Sequence, residues 1–183
     1  MAKPRKTWRE KLLDSKGLPK VAVIEGKLSK RWGEGTVAIP APREVDEIMK
    51  AVPKGRLITT KEIQTKVAQK HNATMGCPIC CGIFAWIAAH AADEAETEGA
   101  KRITPYWRTL KSGGELNPKF PGGVEKLTVR LEAEGHRVVV KGKKWIVADY
   151  ESRLVSSDLS DQAQPTGRVS SRGQPAKSAG RGR

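Results

Sequence analysis

The chain is short of acid. Its 183 residues carry 20 Asp and Glu against 34 Lys and Arg, a formal net charge of +14. An excess of that size points to a partner that carries phosphates, because Lys and Arg that neutralise phosphates release condensed counterions. An acidic membrane surface is the competing partner. Long apolar runs are also lacking: no stretch approaches the roughly 20 residues that a membrane span needs. Met1-Ala2-Lys3-Pro4-Arg5 leads into no signal-peptide core. These absences lead to the expectation of a soluble cytoplasmic, nucleoid-associated protein with no membrane association. Cysteine is scarce too. Cys77, Cys80 and Cys81 form one tight cluster of odd number, which excludes a disulfide framework and fits a reducing compartment.

What is present is unevenly placed. Residues 1–31 hold ten Lys/Arg against three Asp/Glu, half of the net charge, and residues 163–183 hold five Lys/Arg and no acid. The organisation expected is a basic N-terminal extension over 1–40, a main domain over 41–150 and a disordered basic tail over 151–183 rich in Ser, Gln, Pro and Gly. Within the extension, Thr7 to Gly17 reads as a short basic helix, and Val21–Ile24 and Thr36–Ile39 as short strands. Pro40-Ala41-Pro42 is a rigid boundary.

After that boundary the spacing turns helical. Pro42 suits a first helical turn, and Val45, Ile48, Met49 and Val52 form one stripe until Pro53-Lys54-Gly55. Thr59-x-x-Glu62 is a capping box opening a helix to about Lys70. A break at 71–76 precedes a second helix from about Pro78, rich in small residues and becoming acidic from Asp93, where the helix dipole disfavours acid. A last helix spans Gly123 to Glu134. Arg137 to Ala148 reads as a β-hairpin with the lysine-rich tip Lys141-Gly142-Lys143-Lys144. Two helices across a glycine-containing turn, followed by a basic hairpin, outline an α+β domain of winged helix-turn-helix type.

The sequence pieces "VPKGRLITTKEI", "PYWRTLKSGGEL" and "GGVEKLTVRLEAEG", together with the helix around Gly82 to Ala92, carry a resemblance over roughly residues 42–135. In order and near-spacing they resemble the DNA-binding, C-terminal domain of the methylated-DNA–protein cysteine methyltransferases. That family flips an alkylated guanine out of duplex DNA, since the target atom is unreachable inside the stack. It then takes the alkyl group on the cysteine of a Pro-Cys-His-Arg-Val motif, activated by a histidine that a glutamate orients.

Here the matching segment is Pro105-Tyr106-Trp107-Arg108-Thr109, with the glutamate at Glu134. A phenol that titrates near about 10 is no substitute for a thiolate at neutral pH, and an indole is no base. The resemblance therefore implies alkyl-transfer chemistry lost at this position, as in the alkyltransferase-like proteins, which bind alkylated DNA and flag it for repair. In that group Trp or Ala usually replaces the cysteine with the histidine retained, a pattern from which Tyr106-Trp107 departs. The family's nucleotide-rotating tyrosine falls on Thr60, and its stack-filling arginine near Gly82. Trp107 is read as a plug of the former alkyl pocket, with base stacking as the alternative. Arg108 is either a contact or a buried structural arginine.

The DNA-binding set expected is Lys54, Arg56, Thr60, Gly82, Tyr106, Trp107, Arg108, Ser112, Lys141, Lys143 and Lys144. The partner is duplex DNA, in the specific form alkylated, with downstream repair proteins; the chain is expected to be a monomer. Cys77-x-x-Cys80 is half of a zinc site. The other half is missing from the sequence, so no metal and no cofactor are expected, and the thiols are read as structural. Two rivals remain. One is a degenerate alkyltransferase that uses Cys80 or Cys81; the other is an adaptor on RNA or ribosomes.

Overall fold

The helices begin where backbone chemistry favours them. The computed structural model describes residues 5–155. In α1 (Trp8–Leu13), Thr7 and Glu10 form a reciprocal capping box. α3 (Pro42–Lys50) opens on proline, whose missing N–H is free of cost in the first turn. α4 (Thr60–Lys70) is capped by Thr59, with Glu62 closing the box. Pro78 likewise opens α5 (Pro78–Thr97), and Cys77 is its cap. α2 (Ser29–Trp32), α6 (Gly123–Glu132) and α7 (Tyr150–Arg153) complete the helices.

α5 runs on through the acidic stretch to Thr97, a full turn past Ala92. Carboxylates at a helix C-terminus oppose its dipole, but here cations and donors from elsewhere offset them. Asp93 pairs with Lys126 at 2.6 Å and Glu96 with Arg130 at 2.5 Å, both on α6. Glu94 accepts the backbone N–H groups of Trp8 and Arg9 at the start of α1. Long-range pairing thus decides a helix end that the local charge pattern disfavoured.

Three small sheets complete the architecture of the described residues. β1 (Lys20–Val23) pairs antiparallel with β2 (Thr36–Ile39), and β2 pairs in parallel with β4 (Met75–Gly76). β3 (Ile58–Thr59) lies parallel to β5 (Thr109–Leu110). β6 (Val138–Lys141) and β7 (Lys144–Val147) form the expected hairpin, joined by Gly142-Lys143 with Gly142 at φ +62°. The main core gathers Val45 and Met49 of α3, Ile63 and Val67 of α4, Leu127 and Leu131 of α6, and the small face of α5. Ala85, Ala88, Ala89 and Ala92 let α5 sit close to its neighbours.

Two boundaries fall differently from the sequence reading. The extension over 1–40 is fastened to the main domain. Its strand β2 pairs with β4 immediately before α5, α1 packs along α5, and Ile24, Val37 and Cys77 share a small second core. The segment 151–155, grouped with the tail, packs onto the domain. Leu57 N–H donates to Arg153 O and Val155 N–H to Leu57 O, both at 2.8 Å, and Val155 is buried. Val155 and Leu57 are both buried apolar residues whose backbones pair, which supplies the reason. The tail over 156–183 lies outside the described residues. Among those described, no helix is long and apolar enough to cross a membrane.

Candidate nucleic-acid interface

The segment Pro105–Thr109 turns inward. Tyr106 opens a 3-10 turn (Tyr106–Arg108) and is 0% exposed, its ring edge-on to Phe120. Its hydroxyl has no hydrogen-bond partner. Burial pushes the phenol above its ordinary value, against the opposing influence of Lys126 and Arg130, so the group is neutral and inert.

Beside it, Glu134 is the acceptor for four N–H groups. Trp107 Nε1 donates at 2.8 Å, Arg108 Nε and Nη2 at 2.9 and 2.8 Å, and the Gly55 backbone at 3.1 Å. Arg108 Nη1 donates to Val52 O at 2.6 Å, and Arg130 lies 4.5 Å from the Trp107 ring centroid. Burial opposes charge on Glu134, but Arg108, Trp107 and Gly55 outweigh it and hold the carboxyl below its usual range. The carboxylate is fully occupied, the indole is a donor only, and no thiol faces the group. This arrangement binds the side chains of Trp107, Arg108 and Glu134 together.

The expected phosphate contacts divide in two. Arg108 and Arg56 are held by acceptors within the protein. The side chains of Arg108 and Glu134 are only 13% and 7% exposed, and Arg56 Nη2 donates to Leu154 O at 2.7 Å. Arg108 is thus spent on structure, and Arg56 is half-buried with one donor engaged. Lys54, Ser112, Lys141, Lys143 and Lys144 are exposed. Lys144 reaches Glu115 at 3.3 Å, and the same carboxylate pairs with Lys111 at 2.5 Å. That shared acid ties the hairpin to the loop that follows β5.

Thr60 and Gly82 come together on one feature, an open groove of about 780 Å³. One wall is a single face of α5: Ile79, Gly82, Ile83, Trp86 and His90. Lys111, the turn Asn117–Lys119 and Thr60 complete the lining. Trp86 Nε1 donates to Lys119 O at 3.0 Å, and Trp8 of α1 stacks on His90 at 4.5 Å between centroids. These contacts brace Trp86 and His90 on the α5 wall. A Cβ at Gly82 would meet nothing within 4 Å.

Two solved structures are similar to the chain. One is S. pombe Atl1 in complex with damaged DNA containing O6-carboxymethylguanine, the other S. pombe ATL in complex with DNA. Each is 16% identical, with a TM-score of 0.46, over 63% of this chain and 94% of that one. No family model and no curated protein matches.

The cysteines stand apart from the groove. Cys77 caps α5, its sulfur accepting the Cys80 N–H at 3.4 Å, and Cys81 is buried in the core. Burial pushes both the Cys80 and the Cys81 thiol up to about 12, with neighbouring Cys77 adding to it. A thiol protonated at neutral pH is a poor nucleophile, which weighs against the degenerate-alkyltransferase reading. Among the described residues no group of His, Cys, Asp and Glu is placed to hold a metal. The residues that sequence reasoning passed over are Ile79 and Ile83. Their signal lay in the helix itself: the small residues mark its packed side, so large ones at spacing four fall on the other.

Proposed function

We propose that the chain is a non-catalytic DNA-binding protein of winged helix-turn-helix type that recognises alkylated guanine in duplex DNA. In this reading α4 and α5 are the helix-turn-helix, α5 lies in a groove of the duplex, and the β6–β7 hairpin is the wing. Lys54 and the hairpin lysines meet phosphates, which position the protein without reading sequence.

The observation that carries the proposal is the open groove beside α5, flanked by Lys111, Lys119 and the tethered hairpin, while the polar centre at Glu134 is filled by the protein's own Trp107 and Arg108. A volume of about 780 Å³ falls within the roughly 300–1,000 Å³ of small-ligand sites, room enough for an extruded base. The alkylguanine preference rests on the family resemblance, and repair partners acting on the complex belong to the same reading.

The test is a fluorescence-anisotropy titration of two matched duplexes, one with a single O6-methylguanine, at two salt concentrations. Preference for the lesion that survives high salt supports damage recognition. Equal affinities that collapse together with salt would leave phosphate contact alone and remove the alkylguanine assignment.

A further inference from the structure

Three thiols in one cluster build no disulfide framework, but two of them are paired by the start of α5. Cys77 takes the N-cap position that Ser, Thr, Asp or Asn usually fills, and Cys80 is the third helical residue. The Cys77 sulfur accepts the Cys80 N–H at 3.4 Å, which turns the capping side chain toward the residue that donates. Across one helical turn two Cα atoms lie roughly 5 Å apart, inside the roughly 4.4–6.8 Å that a disulfide spans. Pro78 between them has a fixed φ and no N–H to satisfy, so it stiffens the turn.

The fold separates the third thiol from this pair. Cys81 is 0% exposed in the main core, whereas Cys77 and Cys80 both belong to the second core with Ile24, Val37 and Trp32. Cys80 is half-buried and is the sulfur that solvent reaches, while Cys77 is 6% exposed. Burial raises the Cys80 thiol, and a hydrogen bond and charge from Cys77 raise it further, as two neighbouring sulfurs do. Exposed Lys20, on β1, acts the other way and favours the thiolate. It also places a cation beside Cys80, which suits an anionic reagent.

We propose that Cys77 and Cys80 are a reversible dithiol–disulfide pair, oxidised by an anionic low-molecular-weight disulfide of the glutathione class. The Cys80 thiol gives its proton to solvent, and its sulfur attacks the reagent, breaking the reagent's S–S bond and releasing one thiolate. The Cys77 sulfur, its proton also passing to solvent, then attacks the Cys80 sulfur of this mixed disulfide and releases the second thiolate. Both released thiolates take up protons. Two protein thiols are thus oxidised to one disulfide, and one reagent disulfide is reduced to two thiols. With the Cys80 thiol pushed up to about 12, the first attack is slow at neutral pH; the geometry governs the equilibrium, not the rate. The pair stands independently of the DNA-binding reading.

The experiment equilibrates the full chain in glutathione buffers of rising oxidised share, quenches with acid, then denatures, alkylates and maps the labels by mass spectrometry. Reduced protein is expected to carry a label on each of its three cysteines. Oxidised protein should keep one label, which fragmentation places on Cys81. Three labels throughout, a stable glutathione adduct with no bridge, or a surviving label on Cys77 or Cys80 would each overturn the pairing. The wild-type map decides this without relying on a variant. Two variants sharpen it: Cys81→Ala should still lose two labels, and Cys77→Ala should stop at a mixed disulfide on Cys80. A Cys77→Ala chain that closes a bridge overturns the proposal. The bridged protein should melt at or above the reduced one. A fall in Tm would show a bridge that the folded helix start does not accommodate, and would overturn the proposal as well.

Discussion

Two regions of this molecule lie side by side and are built oppositely. The Glu134 centre is closed, polar and saturated: four N–H groups converge on one carboxylate. The α5 groove is open and largely apolar, its charges confined to the rim. The first has four donors answered by one carboxylate, and such networks rigidify a fold. The second exposes large side chains that nothing in the described residues covers. The segment around Tyr106 and Trp107 serves as scaffold, and the exposed large apolar side chains sit in the groove.

Cutting the closed centre should produce the largest effect. Glu134→Ala leaves the Arg108 guanidinium buried without its acid, a type of loss that costs about 3–5 kcal/mol, and calorimetry should show a large fall in Tm. Glu134→Gln, which keeps two lone pairs, should lose less. Near-wild-type melting of Glu134→Ala would remove the structural role claimed for the cluster.

The same centre sets a pH dependence. The folded state holds the Glu134 carboxyl below its ordinary value, so the unfolded chain takes up the proton first as pH falls. The stabilisation is complete above the usual carboxylate range of about 4 and is lost as pH drops through the lowered value. Acid unfolding followed by circular dichroism should therefore be less steep in Glu134→Gln than in wild type. Equal steepness would place the titrating group elsewhere.

On the groove side, stability should hold while binding changes. Lys143→Glu at the exposed hairpin tip should weaken duplex binding several-fold and reduce the slope of log K against log salt by roughly one phosphate contact, with Tm unchanged. An unaltered slope would detach the hairpin from the interface. Thiol labelling gives a smaller contrast. With Cys80 and Cys81 pushed up to about 12, both should react slowly with iodoacetamide at pH 8 in the folded protein and fast in denaturant. Rapid labelling of either in the native state would return the thiols to consideration as nucleophiles. Least of all, Tyr106→Phe should leave stability unchanged or raise it by about 1 kcal/mol, because the buried hydroxyl is unpartnered. A clear loss would mean that the hydroxyl finds a partner in solution.

The sequence by itself determined the starts of α3, α4 and α5, because proline at a first turn and the Thr59–Glu62 box act within a few residues. It determined the hairpin, whose apolar alternation and glycine turn are also local. That residues 106 and 107 carry neither a thiol nor an imidazole was legible from residue identity alone. Only the tertiary structure decided how each charge is spent. Arg56 and Arg108 have the same local appearance as Lys54, yet they end on Leu154 O and on Glu134, 98 and 26 residues away. The extension joined the domain because β2 met β4, and α5 outlasted its acidic end because α6 brought Lys126 and Arg130. Ile79 and Ile83 remained outside because no later segment among the described residues returned to cover them. Local propensity depends on near neighbours in the chain, whereas solvation of a side chain depends on what the fold brings over it. For this protein the site lives in the second.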